Sequence, residues 1–88
     1  MHSFDSLLTF LGRDQRTATD LWVELCELRR INGPEHYRKL PAEKSELLRQ
    51  LRAAKAAGLL VEEWPKGAIE AEWRPGRRAA ERQAELFG

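Results

Sequence analysis

Apolar side chains recur at helical spacing in three stretches of this chain and at strand spacing in one. Phe4, Leu7, Leu8 and Leu11 stand three and four residues apart behind Ser3, a candidate N-cap, and Gly12 closes the run, which predicts a short first helix. A second helix is announced by Thr17-Ala-Thr-Asp20, a hydroxyl followed three residues later by a carboxylate, and continues with Leu21, Trp22, Leu25 and Leu28 on one stripe. Arg29 and Arg30 fall in its last turn, where the helix dipole favours cations, and Asn32-Gly33 ends it. Gly33-Pro34-Glu35 is able to restart a brief helical turn through Leu40.

The third helix is the clearest. Pro41 stands where proline suits the first helical position, Glu43 follows in the first turn and Gly58 occupies a C-terminal cap position, which predicts a helix over about 42–57. At about 100° per residue, Leu47, Leu51 and Ala54 share one narrow stripe with Leu48 at its flank. The opposite side carries Ser45, Arg49, Arg52 and Ala56, with Gln50 and Lys44 toward the edges. Beyond Gly58 the period becomes that of a strand. Leu59-Leu60-Val61 favours extended structure, Pro65-Lys66-Gly67 is turn chemistry, and Ile69, Ala71 and Trp73 alternate with Glu70 and Glu72, so a hairpin with one apolar face is expected. Pro75-Gly76 stops the second strand.

Composition sets the scale. Eighty-eight residues form one domain at most, one that buries only about 60% of its unfolded surface. With 42% apolar and 33% charged residues the chain is too apolar to be disordered throughout. No apolar run approaches the roughly 20 residues of a membrane span, and the start lacks the basic region and cleavage site of a signal peptide, so no membrane partner is expected and the cytoplasm is the expected location. The single cysteine, Cys26, has no internal disulfide partner and is expected to be packed at the edge of the second helix's stripe. His2 and His36 are the only histidines, and neither a metal-ligand spacing, a carboxylate cluster nor a Gly-rich phosphate loop occurs. Catalytic residues, metal and cofactor are therefore all expected to be none, and the protein is not expected to be an enzyme.

The net charge of +1 hides an uneven distribution: residues 1–28 carry −3, 29–55 carry +5, 56–73 carry −3 and 74–88 carry +2. The only strongly basic block thus contains the third helix. The order of two helices, a basic helix ending in Ala-Gly-Leu-Leu and a hairpin resembles a winged helix-turn-helix domain, the resemblance being carried by SELLRQLRAAKAAGLLVEEWPKGAIEAEW, Ser45 to Trp73. It implies a mainly α fold of three or four helices followed by a two-stranded wing, over residues 1–74. It also implies duplex DNA binding, with the third helix in the major groove. Ser45, Arg49 and Arg52 would then lie on the outward face presented to DNA, while Arg38, Lys39, Lys44 and, at the wing tip, Lys66 would reach phosphates. Glu62, Glu63, Glu70 and Glu72 in the wing, and Glu43 and Glu46 at the start of the third helix, weigh against strong binding.

Residues 75–88 form a flexible or helical tail in this reading. Its end, Gln83-Ala-Glu-Leu86-Phe87, resembles the pentapeptide with which bacterial replication and repair proteins bind the sliding clamp. That resemblance implies a glutamine hydrogen-bonded at a pocket rim (Gln83) and two apolar side chains inside it (Leu86 and Phe87). Ala84 stands where leucine is common, which weakens the match. The competing reading is a last amphipathic helix that folds Leu86 and Phe87 onto the domain, since Ala, Glu, Arg and Gln are good helix formers. Three functions are expected from this sequence: a DNA-associated accessory protein of replication or repair with a clamp-binding tail, a small transcriptional regulator acting as a homodimer, or a protein-binding module of phage or plasmid origin. DNA binding would place the chain at the nucleoid. Trp22 and Trp73 read as core, and Trp64 as an exposed interface anchor.

Overall fold

The computed structural model describes residues 4–35 and 37–87. Its elements run α1 (Asp5–Leu11), β1 (Arg16–Thr17), α2 (Ala18–Asn32), α3 (Lys44–Ala56), β2 (Leu60–Glu63), β3 (Glu72–Pro75) and α4 (Arg77–Phe87). The chain is thus mainly helical, with a small antiparallel sheet in the order β1-β3-β2. Local chemistry explains most boundaries. Thr17 caps α2, its hydroxyl accepting the Asp20 amide at 3.0 Å, and Gly33 ends the helix at φ +102°. At the end of α3 the Leu59 amide bonds to the Ala54 carbonyl and the Gly58 amide to the Lys55 carbonyl, each at 2.9 Å, with Gly58 at φ +80°. This paired closure needs a left-handed residue at position 58, which glycine adopts without a Cβ penalty.

Burial follows the helical stripes. Leu7, Leu8 and Leu11 of α1, Leu21 and Leu25 of α2, and Leu47, Leu51 and Ala54 of α3 meet above Leu60 and Trp73 of the sheet, all of them buried. Each such leucine contributes roughly 1.5–3 kcal/mol on leaving water, so this one cluster carries most of the folding drive. Helix α4 closes the other side of α1 and buries Ala79 and Gln83 completely.

Several expectations are corrected. Pro41 does not open α3: the helix begins at Lys44 with Glu43 as its N-cap residue, while Pro41 is buried and its carbonyl is committed to Arg29. Residues 34–35 and 37–39 form turns rather than a helical turn. The Arg29 guanidinium holds this connection, donating to the carbonyls of Tyr37, Leu40 and Pro41 at 2.8, 2.9 and 2.7 Å. The hairpin is not two-stranded on its own, because β1 adds a third strand through Arg16 opposite Trp73 and Thr17 opposite Glu72. By contrast, β3 does end at Pro75-Gly76, Pro75 being its last residue, opposite Leu60. Ile69 is not on the apolar face: it lies in the loop between β2 and β3 and is 95% exposed. Cys26 is exposed rather than packed. The N-cap assigned to Ser3 and both histidines, His2 and His36, lie outside the described residues.

Candidate nucleic-acid interface

The surface that α3 turns outward is set by its buried stripe. With Leu47, Leu51 and Ala54 inward, Ser45, Arg49, Arg52, Ala53 and Ala56 are left exposed on the far side. No large apolar residue stands among them, so two long cations rise from a low floor of alanine and serine. Arg49 is ion-paired with Glu46 one turn earlier, an exposed contact that water screens and that is easily given up. A phosphate or base edge can therefore replace Glu46 as its partner. Arg52 makes no ion pair among the described residues, though its charge helps keep the Glu62 carboxyl ionised.

The other candidates flank this face. On one side Lys39 lines a recess together with Glu46, Arg49, Gln50 and Ala53, so the structure brings Lys39 beside Arg49. On the other side Lys44 and Arg52 line the groove between α3 and the hairpin. Lys44 Nζ donates to the Thr19 hydroxyl at 2.8 Å. Arg38 is exposed but lines a different recess, with Asp5, Thr9 and Tyr37, and is not gathered with the α3 cations. Lys66 is exposed at the hairpin turn, which the Ala68 amide closes onto the Pro65 carbonyl at 2.9 Å.

The four hairpin carboxylates that oppose an anionic ligand are all engaged by the protein's own groups. Glu62 accepts from Lys55 Nζ at 2.9 Å, and its carboxyl is held below the usual range by that bond first, with the Trp64 indole N–H and the Arg52 charge adding smaller contributions. Glu63 pairs with Arg74 at 2.8 Å, and Glu72, directly opposite it across the sheet, accepts from Gln15 at 2.8 Å, which relieves the like-charge pair. Glu70 accepts the Thr19 hydroxyl at 2.7 Å and the Thr19 amide at 3.1 Å. That amide is one of the free donors in the first turn of α2, so the carboxylate acts as a long-range cap on the positive end of the helix dipole. These Thr19 bonds, helped by Lys44, hold Glu70 below its ordinary pKa. Lys44, Thr19 and Glu70 thereby tie the starts of α3 and α2 to the hairpin loop.

Two side chains here carry more weight than the sequence reading gave them. Trp64 is 61% exposed and Ile69 almost fully so, and both line the α3–hairpin groove beside Lys44, Leu48 and Arg52. Trp64 was legible as an exposed anchor from its place beside the turn. Ile69 was hidden by the alternation that extends backward from Trp73.

The C-terminal segment is the helix α4, seated on α1. Gln83 is wholly buried, and its Nε2 donates to the carbonyls of Leu8 at 3.0 Å and Gly12 at 2.6 Å. It thus covers the carbonyl end of α1, a task that helix termini leave to other groups. Arg82 adds a two-pronged contact to Asp5 at 2.8 and 3.1 Å. Leu86 is 38% exposed, and the Phe87 side chain lies outside those described. Gln83 is consequently not available to an outside pocket while α4 is docked, which corrects the role given to it as a rim contact for a clamp. The signal that was readable is the four-residue spacing of Ala79 and Gln83, which puts the glutamine on the same side of the helix as a buried alanine.

Compared with protein-family models, with curated proteins and with solved structures, the chain matches none. Among the described residues no helix is long and apolar enough to cross a membrane.

Proposed function

We propose that this chain is a winged helix-turn-helix domain that acts by binding duplex DNA, with α3 as the recognition helix and the β2–β3 hairpin as the wing. The order helix, short strand, helix, helix, hairpin, with the short strand pairing to β3 at the sheet edge, supports that assignment of parts. The observation that carries the reading is the outer face of α3: Arg49 and Arg52 exposed above Ser45, Ala53 and Ala56, with Lys39 and Lys44 at its two flanks. Small side chains let a helix approach the major-groove floor, where arginine pairs with guanine and alanine meets a thymine methyl. The ion pairs of Glu62 with Lys55 and of Glu63 with Arg74 offset part of the negative charge of an acidic wing, while Glu70 and Glu72, bonded to neutral donors, keep theirs. Arg38 is set apart from this surface and belongs at most to its periphery. Replacing Arg49 and Arg52 together by alanine should weaken duplex binding while leaving the fold intact, since both are exposed; an unaltered affinity would place DNA elsewhere or nowhere on this domain.

The clamp-binding reading of Gln83, Leu86 and Phe87 requires α4 to leave α1, and no observation favours that. The function proposed here therefore rests on the body of the domain and uses α4 as part of it.

A further inference from the structure

Trp64 and Ile69 are large apolar side chains held out in solvent on either side of the Pro65–Gly67 turn, and nothing in their own fold requires this. They face the flank of α3 across a groove of about 280 Å³ that also contains Lys44 and Arg52. The two carboxylates in the same groove are engaged, Glu62 by Lys55 and Glu70 by Thr19. More than half of Trp64 thus remains open to solvent at the mouth of the groove. An aromatic face, a neighbouring aliphatic side chain and two cations are the elements with which proteins hold an unstacked nucleotide, the ring stacking the base and the cations meeting its phosphate. An uncharged apolar peptide would make no use of Lys44 and Arg52, whereas a nucleic-acid strand uses the open aromatic face and these cations together.

Resting on the duplex-binding reading above, we propose that the α3–wing groove takes an unpaired nucleotide, so that the domain prefers DNA in which a base has left its stack, such as a junction between double and single strands. Base–aromatic stacking on Trp64, with the apolar support of Ile69, supplies the preference, and Lys44 and Arg52 hold the backbone of the displaced strand. Regular duplex still binds through the outer face of α3 but leaves this groove unfilled.

The test uses the full chain and two fluorescein-labelled DNAs of equal length, one fully paired and one carrying a short thymidine overhang, titrated by anisotropy at fixed low salt. The native chain is expected to bind the overhang form about tenfold more tightly, within the range known for base–aromatic stacking. Trp64→Ala is expected to abolish that preference while regular-duplex affinity stays within about twofold, and Trp64→Phe to restore part of it. The exposure of Trp64 makes loss of fold in these variants a minor concern, and an unchanged thermal midpoint verifies it. Equal affinity of the native chain for both DNAs overturns the groove assignment and leaves duplex binding standing. Failure to bind either DNA overturns both, and a preference that survives Trp64→Ala removes the indole from the account.

Discussion

Gln83→Ala is the substitution that most sharply separates a docked C-terminal helix from a free tail. In the structure the Gln83 side chain has no exposure and donates twice, to Leu8 and Gly12 carbonyls that lie 75 and 71 residues earlier. Losing two such bonds costs about 1 kcal/mol each, and losing one buried methylene about 0.8 kcal/mol. The Oε1 atom is buried without a partner, so removing it offsets about 1 kcal/mol of that loss. A net destabilisation of about 2 kcal/mol remains, a large share of the roughly 4–13 kcal/mol available to a domain of this size. At about 4–8 °C per kcal/mol, the thermal midpoint should fall by about 8–16 °C. Circular dichroism melts, with urea titrations to give the free energy directly, are the assay. Leu86→Ala is the internal control: the residue keeps 38% of its exposure, and its truncation should cost no more than about 1 kcal/mol. A midpoint unmoved by Gln83→Ala would refute the docked helix and return this segment to the docking-peptide reading.

Two further perturbations probe how the interface is assembled. Glu70→Gln should lower stability by about 1 kcal/mol near neutral pH, the usual worth of a helix cap. Because Glu70 has a lowered folded pKa, its contribution is fully present above the unfolded carboxylate range and is lost as pH falls through the folded value, so native and variant urea midpoints should converge in acid; a constant gap across pH would rule out the carboxylate's charge as the cause. Arg29→Ala removes three bonds to the carbonyls of residues 37, 40 and 41 and should cost about 2 kcal/mol, with the Leu40 amide exchanging faster with solvent, and protection of that amide equal to the native level would show that the connection holds itself.

The parts of this fold that were legible are those encoded within one or two helical turns. The stripe of Leu47, Leu51 and Ala54 fixed which face of α3 looks outward, and Thr17 with Asp20, Gly33 and Gly58 marked where helices start and stop. Arg49 and Arg52 followed from the same periodicity. What escaped depends on partners far away in the chain. Strand β1 is two residues long, too short for any period, and exists because Trp73 and Glu72 stand opposite it. The start of α3 was misplaced because Pro41 is held by Arg29 rather than by the helix it precedes. At the site, the acidic wing looked repulsive because sequence spacing does not reveal that Glu70 reaches Thr19, 51 residues earlier, or that Lys55 reaches Glu62. Gln83 resembled a docking residue because its two acceptors belong to the first helix.

The measurement closest to the central claim is the salt dependence of duplex binding by the native chain and by the Arg49→Ala, Arg52→Ala double variant. If the outer face of α3 carries the DNA, the native chain binds at low salt and its log affinity falls linearly with log salt concentration. The double variant should then bind more weakly, with a slope shallower by about one to two units, as the loss of up to two phosphate-neutralising cations requires. A native chain that shows no affinity for duplex at low salt, or a double variant with the native slope and affinity, would contradict the account.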